Sequence, residues 1–172
     1  AKNDFKERVA IFRPEEYERE TAFHRTLTEF QYAFSNGRIT YYLQPQVDME
    51  TGEIVGAEAL TRWIGKDGSL ISPVTFIPAL EESGFVVTLD KYIWQGVASW
   101  LRGRIDRGLR VVPVSLNVSR VDILACDVAE HMGALAAQYN LPPELMRIEI
   151  TETAYTGESE AVDKLTADLH TR

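Results

Sequence analysis

Cysteine is almost missing from this chain. Cys126 stands alone among 172 residues, so no disulfide can form within it. A lone thiol suits a reducing compartment, and a cytoplasmic location is expected. Long apolar runs are missing too. None approaches the ~18 residues of a helical membrane span. The N-terminus lacks the charged and apolar regions of a signal peptide, so no membrane contact by this segment is expected. Positive charge is in short supply, with 18 Lys and Arg against 26 Asp and Glu, a net charge of -8. Such a chain lacks the basic face that neutralises a phosphate backbone, which excludes a general binder of nucleic-acid polymers. A small anionic ligand stays open, because divalent cations can invert the local charge logic. Histidine is scarce, and none of the three falls at an expected strand end. His24 and His131 sit on expected helices and His170 near the last residue, so all three read as structural or solvent-facing. Trp63, Trp94 and Trp100 are expected in the core or at an interface rather than as a base-stacking platform.

What is present is the composition of a globular domain, 45% hydrophobic and 26% charged, long enough for one core. The chain opens on Ala1-Lys2 rather than methionine, and is expected to be a segment of a longer polypeptide. Pro14 to Asn36 predicts a helix. Pro14 suits a first turn, Glu15 and Glu16 meet the positive end of the dipole, and Phe23, Leu27, Phe30 and Phe34 share one face. Asn36-Gly37 stops it. Ile39 to Val47 reads as a strand, Met49 to Gly52 as a turn, and Ile54 to Trp63 as the returning strand. A turn this short favours an antiparallel pair. Ser72-Pro73 opens a short helix that Ser83-Gly84 closes. Thr88 is expected to cap a helix over Leu89 to Arg104. Val111 to Val118 reads as a buried strand, Val121 to Tyr139 as a helix started by Ser119, Met146 to Ile150 as a fourth strand, and Glu158 to Leu169 as a further helix. Helices alternating with buried strands argue for the α/β class.

The stretch Ile54 to Trp63, IVGAEALTRW, carries the chemistry. A charge inside an apolar strand needs a partner, so Glu58 requires a metal, an arginine or a strong hydrogen-bond donor. Arg62 is one structural candidate. Glu58, Asn117 and Glu149 fall at or near the ends of successive expected strands. Two carboxylates and an amide oxygen are hard donors, suited to Mg²⁺ or Mn²⁺ rather than zinc. Each also has a plainer role: Asn117 as a helix cap, Glu149 as a solvent-facing strand residue, Arg62 as a surface cation. Gln44, before Pro45, is uninformative by itself.

Five segments in order resemble the EAL-domain family of cyclic di-GMP phosphodiesterases. They are Tyr42-Leu43-Gln44-Pro45-Gln46-Val47-Asp48 with Thr51-Gly52-Glu53; Ala57-Glu58-Ala59-Leu60 with Thr61-Arg62-Trp63; Phe76-Ile77-Pro78 with Glu81-Glu82-Ser83-Gly84; Ser115-Leu116-Asn117-Val118-Ser119; and Glu149-Ile150-Thr151-Glu152. The resemblance runs from Arg38 to Arg172 and covers the first half of the family's pattern. It implies about half of a (β/α)8 TIM-type barrel, with four strands and the first antiparallel. A whole barrel typically takes ~250 residues.

The resemblance also assigns roles. Glu58, Asn117 and Glu149 match metal-ligand positions, and Glu152 a carboxylate that fixes an active-site loop. Glu58 and Glu152 are thereby the catalytic candidates. Gln44, Leu60 and Arg62 match positions that contact the dinucleotide; a guanidinium is a natural fork for phosphate oxygens. The implied activity is hydrolysis of cyclic di-GMP to linear pGpG, at a two-metal Mg²⁺ or Mn²⁺ site expected only in the complete domain. The family's next strand carries an Asp-Asp pair and a later one a lysine; no Asp-Asp pair occurs in this sequence. The 172 residues alone are therefore expected to be inactive. A non-catalytic cyclic di-GMP receptor and a dimerisation or regulatory module stand as alternatives. Residues 1–13 resemble the tail of a GGDEF domain, residues 14–37 a linking helix, and residues 38–172 the N-terminal half of an EAL domain. A homodimer, with GGDEF and sensor domains in the parent chain, is the expected assembly.

Overall fold

The computed structural model describes residues 14–150 and 159–171. Helix α1 (Pro14–Ser35) leads into a hairpin of β1 (Ile39–Val47) and β2 (Ile54–Ile64), then a two-residue strand β3 (Leu70–Ile71). Helices α2 (Pro73–Ser83) and α3 (Val86–Asp106) precede β4 (Val114–Val118). Helices α4 (Arg120–Ala125) and α5 (Val128–Gln138), a 3-10 turn (Pro143–Leu145), β5 (Met146–Ile150) and α6 (Ser159–Thr171) complete the order.

The strands form one mixed sheet in the order β1-β2-β4-β5, with β3 paired to β2. β1 runs antiparallel to β2, with Gln44 opposite Glu58, while β2, β4 and β5 run parallel. The antiparallel opening expected from the short turn is therefore present, and β3 is a small fifth strand beyond the four expected. Pro45 lacks an N–H and is tolerated because, among the described residues, β1 is an edge strand of the sheet.

Side chains alternate across a strand, and the two sheet faces differ sharply. One face presents Ala57, Ala59, Trp63, Val114, Leu116 and Val118, all buried, and all but Ala57 packed in one core cluster with Leu80, Leu89, Ile93 and Leu101 of the helices. α1 joins this core rather than standing apart. Phe30 is fully buried, with its ring 5.3 Å from Trp63 and 5.4 Å from Phe76. Burying one such side chain contributes about 1.5–3 kcal/mol. The opposite face carries Gln44, Glu58, Leu60, Arg62, Ser115, Asn117 and Glu149, by register and alternation.

Several boundaries differ from the sequence expectation. Helix α3 begins at Val86, two residues before Thr88, which lies inside the helix; Phe85 takes the cap position with no side-chain cap bond. Its ring instead packs on Phe30 and Phe34. The strand expected from Val111 starts only at Val114. Pro113 has no N–H to give to a ladder, though its carbonyl accepts from Ala57 N at 2.9 Å. The single helix expected over Val121 to Tyr139 is two helices, because Asp127 caps a new start with its side chain accepting from Glu130 N. Helix α2 ends as read: Gly84 adopts φ 74, a left-handed conformation that disfavours residues with a Cβ.

Candidate functional site

Glu58 lies within β2, half-buried, on the polar face of the sheet. Its Oε1 accepts a hydrogen bond from Asn117 Nδ2 at 3.0 Å. The strand partner of Glu58 that β4 supplies is Ser115, so Asn117 sits one pleat further on along the same face. The carboxylate's partner is thus a neutral carboxamide. Arg62 turns elsewhere: its Nη1 donates to the Thr61 carbonyl at 2.9 Å and its guanidinium stands 5.6 Å from the centre of the Tyr42 ring. The structural Glu58–Arg62 ion pair considered from sequence does not form.

Asn117 is held from behind as well. Its carbonyl accepts from the indole Nε1–H of the buried Trp94 at 3.1 Å. It caps no helix. Ser119 is the N-cap of α4, and its side chain and that of Asp122 form a reciprocal capping box. With Ser119 in that role, Asn117 stays in the strand with its side chain directed along the polar face.

Glu149, on β5, is the register partner of Asn117 and is exposed. Gln44 lies across from Glu58 on β1 and is exposed, while Leu60 and Arg62 follow Glu58 on the same face, both half-buried. Glu58 and Asn117 are joined directly, and Gln44, Leu60, Arg62 and Glu149 are aligned beside them. Glu152 lies outside the described residues. His24 and His131 fall on α1 and α5, away from this face, and His131 packs its ring against Trp94.

Next to these residues a cavity of about 180 Å³ opens among Leu60, Arg62, Ile77, Asp90, Trp94 and Asn117. Its wall includes two carboxyls: Glu81, which the sequence suggests is on a solvated helix face, and Asp90, which the sequence reading passed over. Burial, the nearby Asp122 carboxyl and then Glu81 push Asp90 up to about 9. Burial, then Asp122, also raises Glu81. The signals were available: Asp90 falls on the apolar stripe with Ile93 and Trp94, and Ser119-Arg120-Val121-Asp122 has capping-box spacing.

The donors fit a hard divalent cation by type, since they are carboxylate and carboxamide oxygens. Glu58, Asn117 and Glu149 are the residues that would hold it. Among the described residues, no group of three or more His, Cys, Asp or Glu is arranged to enclose a metal ion. No helix of the described residues is long and apolar enough to cross a membrane.

Comparison with known proteins places the chain in a family. A family model described as the EAL domain matches residues 27–172. The chain is 32% identical over 120 residues to the cyclic di-GMP phosphodiesterase RocR of Pseudomonas aeruginosa, covering 69% of this chain and 30% of that protein. It is 31% identical over 121 residues to the signaling protein YkoW of Bacillus subtilis, covering 70% of this chain and 15% of that protein. The chain thus spans less than a third of the length of these curated relatives. A solved structure of the EAL enzyme Bd1971 in its cGMP-bound form superposes with a TM-score of 0.77 at 25% identity, over 90% of this chain and 43% of that one. A second, the PaMucR phosphodiesterase in complex with c-di-GMP, gives 0.74 at 23% identity, over 84% of this chain and 60% of that one.

Proposed function

The chain belongs to the EAL domain family, and from that premise we propose that it is the N-terminal half of a barrel that hydrolyses cyclic di-GMP to linear pGpG. The observation that carries this reading is the Glu58–Asn117 pair, 3.0 Å apart on the polar face of the sheet. The partner of Glu58 is a neutral amide and not a cation: Arg62 lies four residues on, about 13 Å along the strand, and is engaged elsewhere. The relative named a cyclic di-GMP phosphodiesterase supports the substrate class.

Glu58, Asn117 and Glu149 are the proposed ligands for Mg²⁺ or Mn²⁺, and Glu152 is the proposed fixing carboxylate of an active-site loop. A bound divalent cation supplies charge neutralisation at the phosphodiester and an acidified water. The chain's own groups do the rest. Asn117 orients the Glu58 carboxylate by its amide N–H. Arg62, whose guanidinium stands against the Tyr42 ring, is the proposed contact for phosphate oxygens. Gln44 adds an amide across the strand pair, and Leu60 presents an apolar surface beside it. The 172 residues hold no Asp-Asp pair, so on this reading they bind metal weakly and turn over nothing without the other half of the barrel. The parent is proposed to be a cytoplasmic homodimer, with residues 1–13 closing a GGDEF domain and a sensor further upstream.

The test is hydrolysis of cyclic di-GMP by the parent polypeptide and by its Glu58→Ala variant. The reading expects turnover to fall by about two orders of magnitude or more; near-wild-type turnover removes Glu58 from the site. If the parent binds cyclic di-GMP without cleaving it, the receptor reading takes its place.

A further inference from the structure

Glu81 of α2 and Asp90 of α3 line the cavity, and Asp122 of α4 lies near enough to raise both carboxyls. Asp122 is fully buried. Its Oδ2 accepts from Ser119 N at 2.8 Å and from Ser119 Oγ at 2.5 Å. Its Oδ1 is buried with no donor within hydrogen-bond distance. A carboxylate oxygen removed from water and left without a donor is costly, and the side chain within hydrogen-bonding reach of Asp122 from α3 is another carboxyl, Asp90. Two carboxyls meeting away from solvent do not both ionise; one keeps a proton. Asp122 is committed as an acceptor to the Ser119 turn, so the proton belongs on Asp90.

The surrounding charges leave that arrangement in place. Arg62 reaches the cavity from β2 but donates to the Thr61 carbonyl. Lys91, next on α3, acts on Cys126 at the end of α4 and on His131 of α5. Glu81 adds a second like charge from α2, which further favours a protonated Asp90. The turn that Asp122 ties down begins two residues after Asn117, and the Asn117 carbonyl is itself anchored to Trp94, four residues along α3 from Asp90.

We propose that Asp90 is a positioning residue whose protonated carboxyl donates to Asp122 Oδ1, locks the Ser119–Asp122 turn against α3, and thereby sets where Asn117 presents its carboxamide to Glu58. Its bearing on hydrolysis rests on the reading of Glu58 and Asn117 as site residues; the proton-sharing contact does not.

The sign of the pH dependence follows. A carboxyl held above its unfolded value gives stability that is complete below about pH 4 and is lost as pH rises through the folded value. For Asp90 that loss extends to about 9.

The experiment is carboxyl-¹³C NMR of the full chain from acid to alkaline pH, with the Asn117 side-chain amide followed on the same samples. One aspartate is expected to titrate in the alkaline range, and the Asn117 amide signals to move with it. Asp90→Asn keeps a donor and cannot ionise: it should remove that titration and hold the Asn117 signals at their acid-limit position. Asp90→Leu, with no donor, should place them at the alkaline-limit position at every pH. Asp122→Asn should lower the Asp90 midpoint by about one unit or more. The proposal is overturned if every aspartate of the wild-type chain titrates below about pH 6, or if Asp90 titrates and the Asn117 signals stay still. The wild-type titration decides the first point without any variant. Failure of the parent to hydrolyse cyclic di-GMP leaves these signals unchanged and bears on the proposed function alone.

Discussion

Asn117 Nδ2 donates to Glu58 Oε1 at 3.0 Å, joining side chains of adjacent parallel strands. The bond gives the one carboxylate embedded in β2 a neutral partner, and a neutral partner leaves its negative charge uncompensated. A carboxylate oriented by an amide rather than by a cation is a hard oxygen donor suited to a divalent ion. Trp94 holds the Asn117 carbonyl from the helix layer, so the pair is fixed from both sides of the sheet.

Replacing Asn117 with leucine removes both the donor and the amide oxygen at nearly constant volume. In the parent polypeptide, affinity for Mn²⁺, followed by titration of its paramagnetic signal, should fall by about 10–100-fold, the range seen when groups supporting a metal ligand are lost. An unchanged titration would count against any metal role for Asn117.

Trp94→Phe keeps most of the buried ring but deletes the Nε1–H that meets the Asn117 carbonyl at 3.1 Å. The expected loss of stability is about 1–3 kcal/mol, from an unsatisfied acceptor and a small void. Urea unfolding measures it. A loss near zero would mean that water replaces the indole.

Much of this was legible in the sequence, and the failures have physical causes. β1 and β2 were readable because Ile39 to Leu43 is rich in β-branched and aromatic residues, Ile54-Val55 opens the return, and a short turn ending in Gly52 separates them. α2 was readable because Pro73 and Gly84 mark its ends. The start of α3 was not, because Thr88 resembles a cap whereas the packing of Phe85 on Phe30 and Phe34 decides where the helix begins. That is tertiary contact overriding local propensity. The break between α4 and α5 turns on Asp127, a cap that follows the lone Cys126 without a glycine or proline to announce it. For the site, Glu58 stood out as a charge in an apolar run. Its bond to Asn117 depends on the register of β2 against β4, which no local pattern specifies.

Arg62→Ala should weaken cyclic di-GMP binding by the parent more than it weakens Mn²⁺ binding. A charge-assisted contact is worth about 1.5–3 kcal/mol, so a loss of about 10-fold or more is expected by calorimetry. Equal effects on nucleotide and metal would move Arg62 away from the phosphate.

Gly96→Ala tests how tightly α3 meets β1. A Cβ at this position would stand 2.9 Å from Cε1 of Tyr41, whose hydroxyl donates to the Gly96 carbonyl at 2.9 Å. The ring cannot yield without moving β1, so a destabilisation of about 1–3 kcal/mol is expected despite the better helix propensity of alanine. A more stable variant in thermal unfolding would show that the ring moves freely.

The central claim, that this sheet face belongs to a cyclic di-GMP phosphodiesterase, is met most directly by one assay. The parent polypeptide is incubated with cyclic di-GMP in Mg²⁺ or Mn²⁺, with and without chelator, and the products are separated. The account predicts linear pGpG that forms with metal and is abolished by the chelator. Intact cyclic di-GMP under all conditions, from a folded parent that binds it, would contradict the account and leave a receptor.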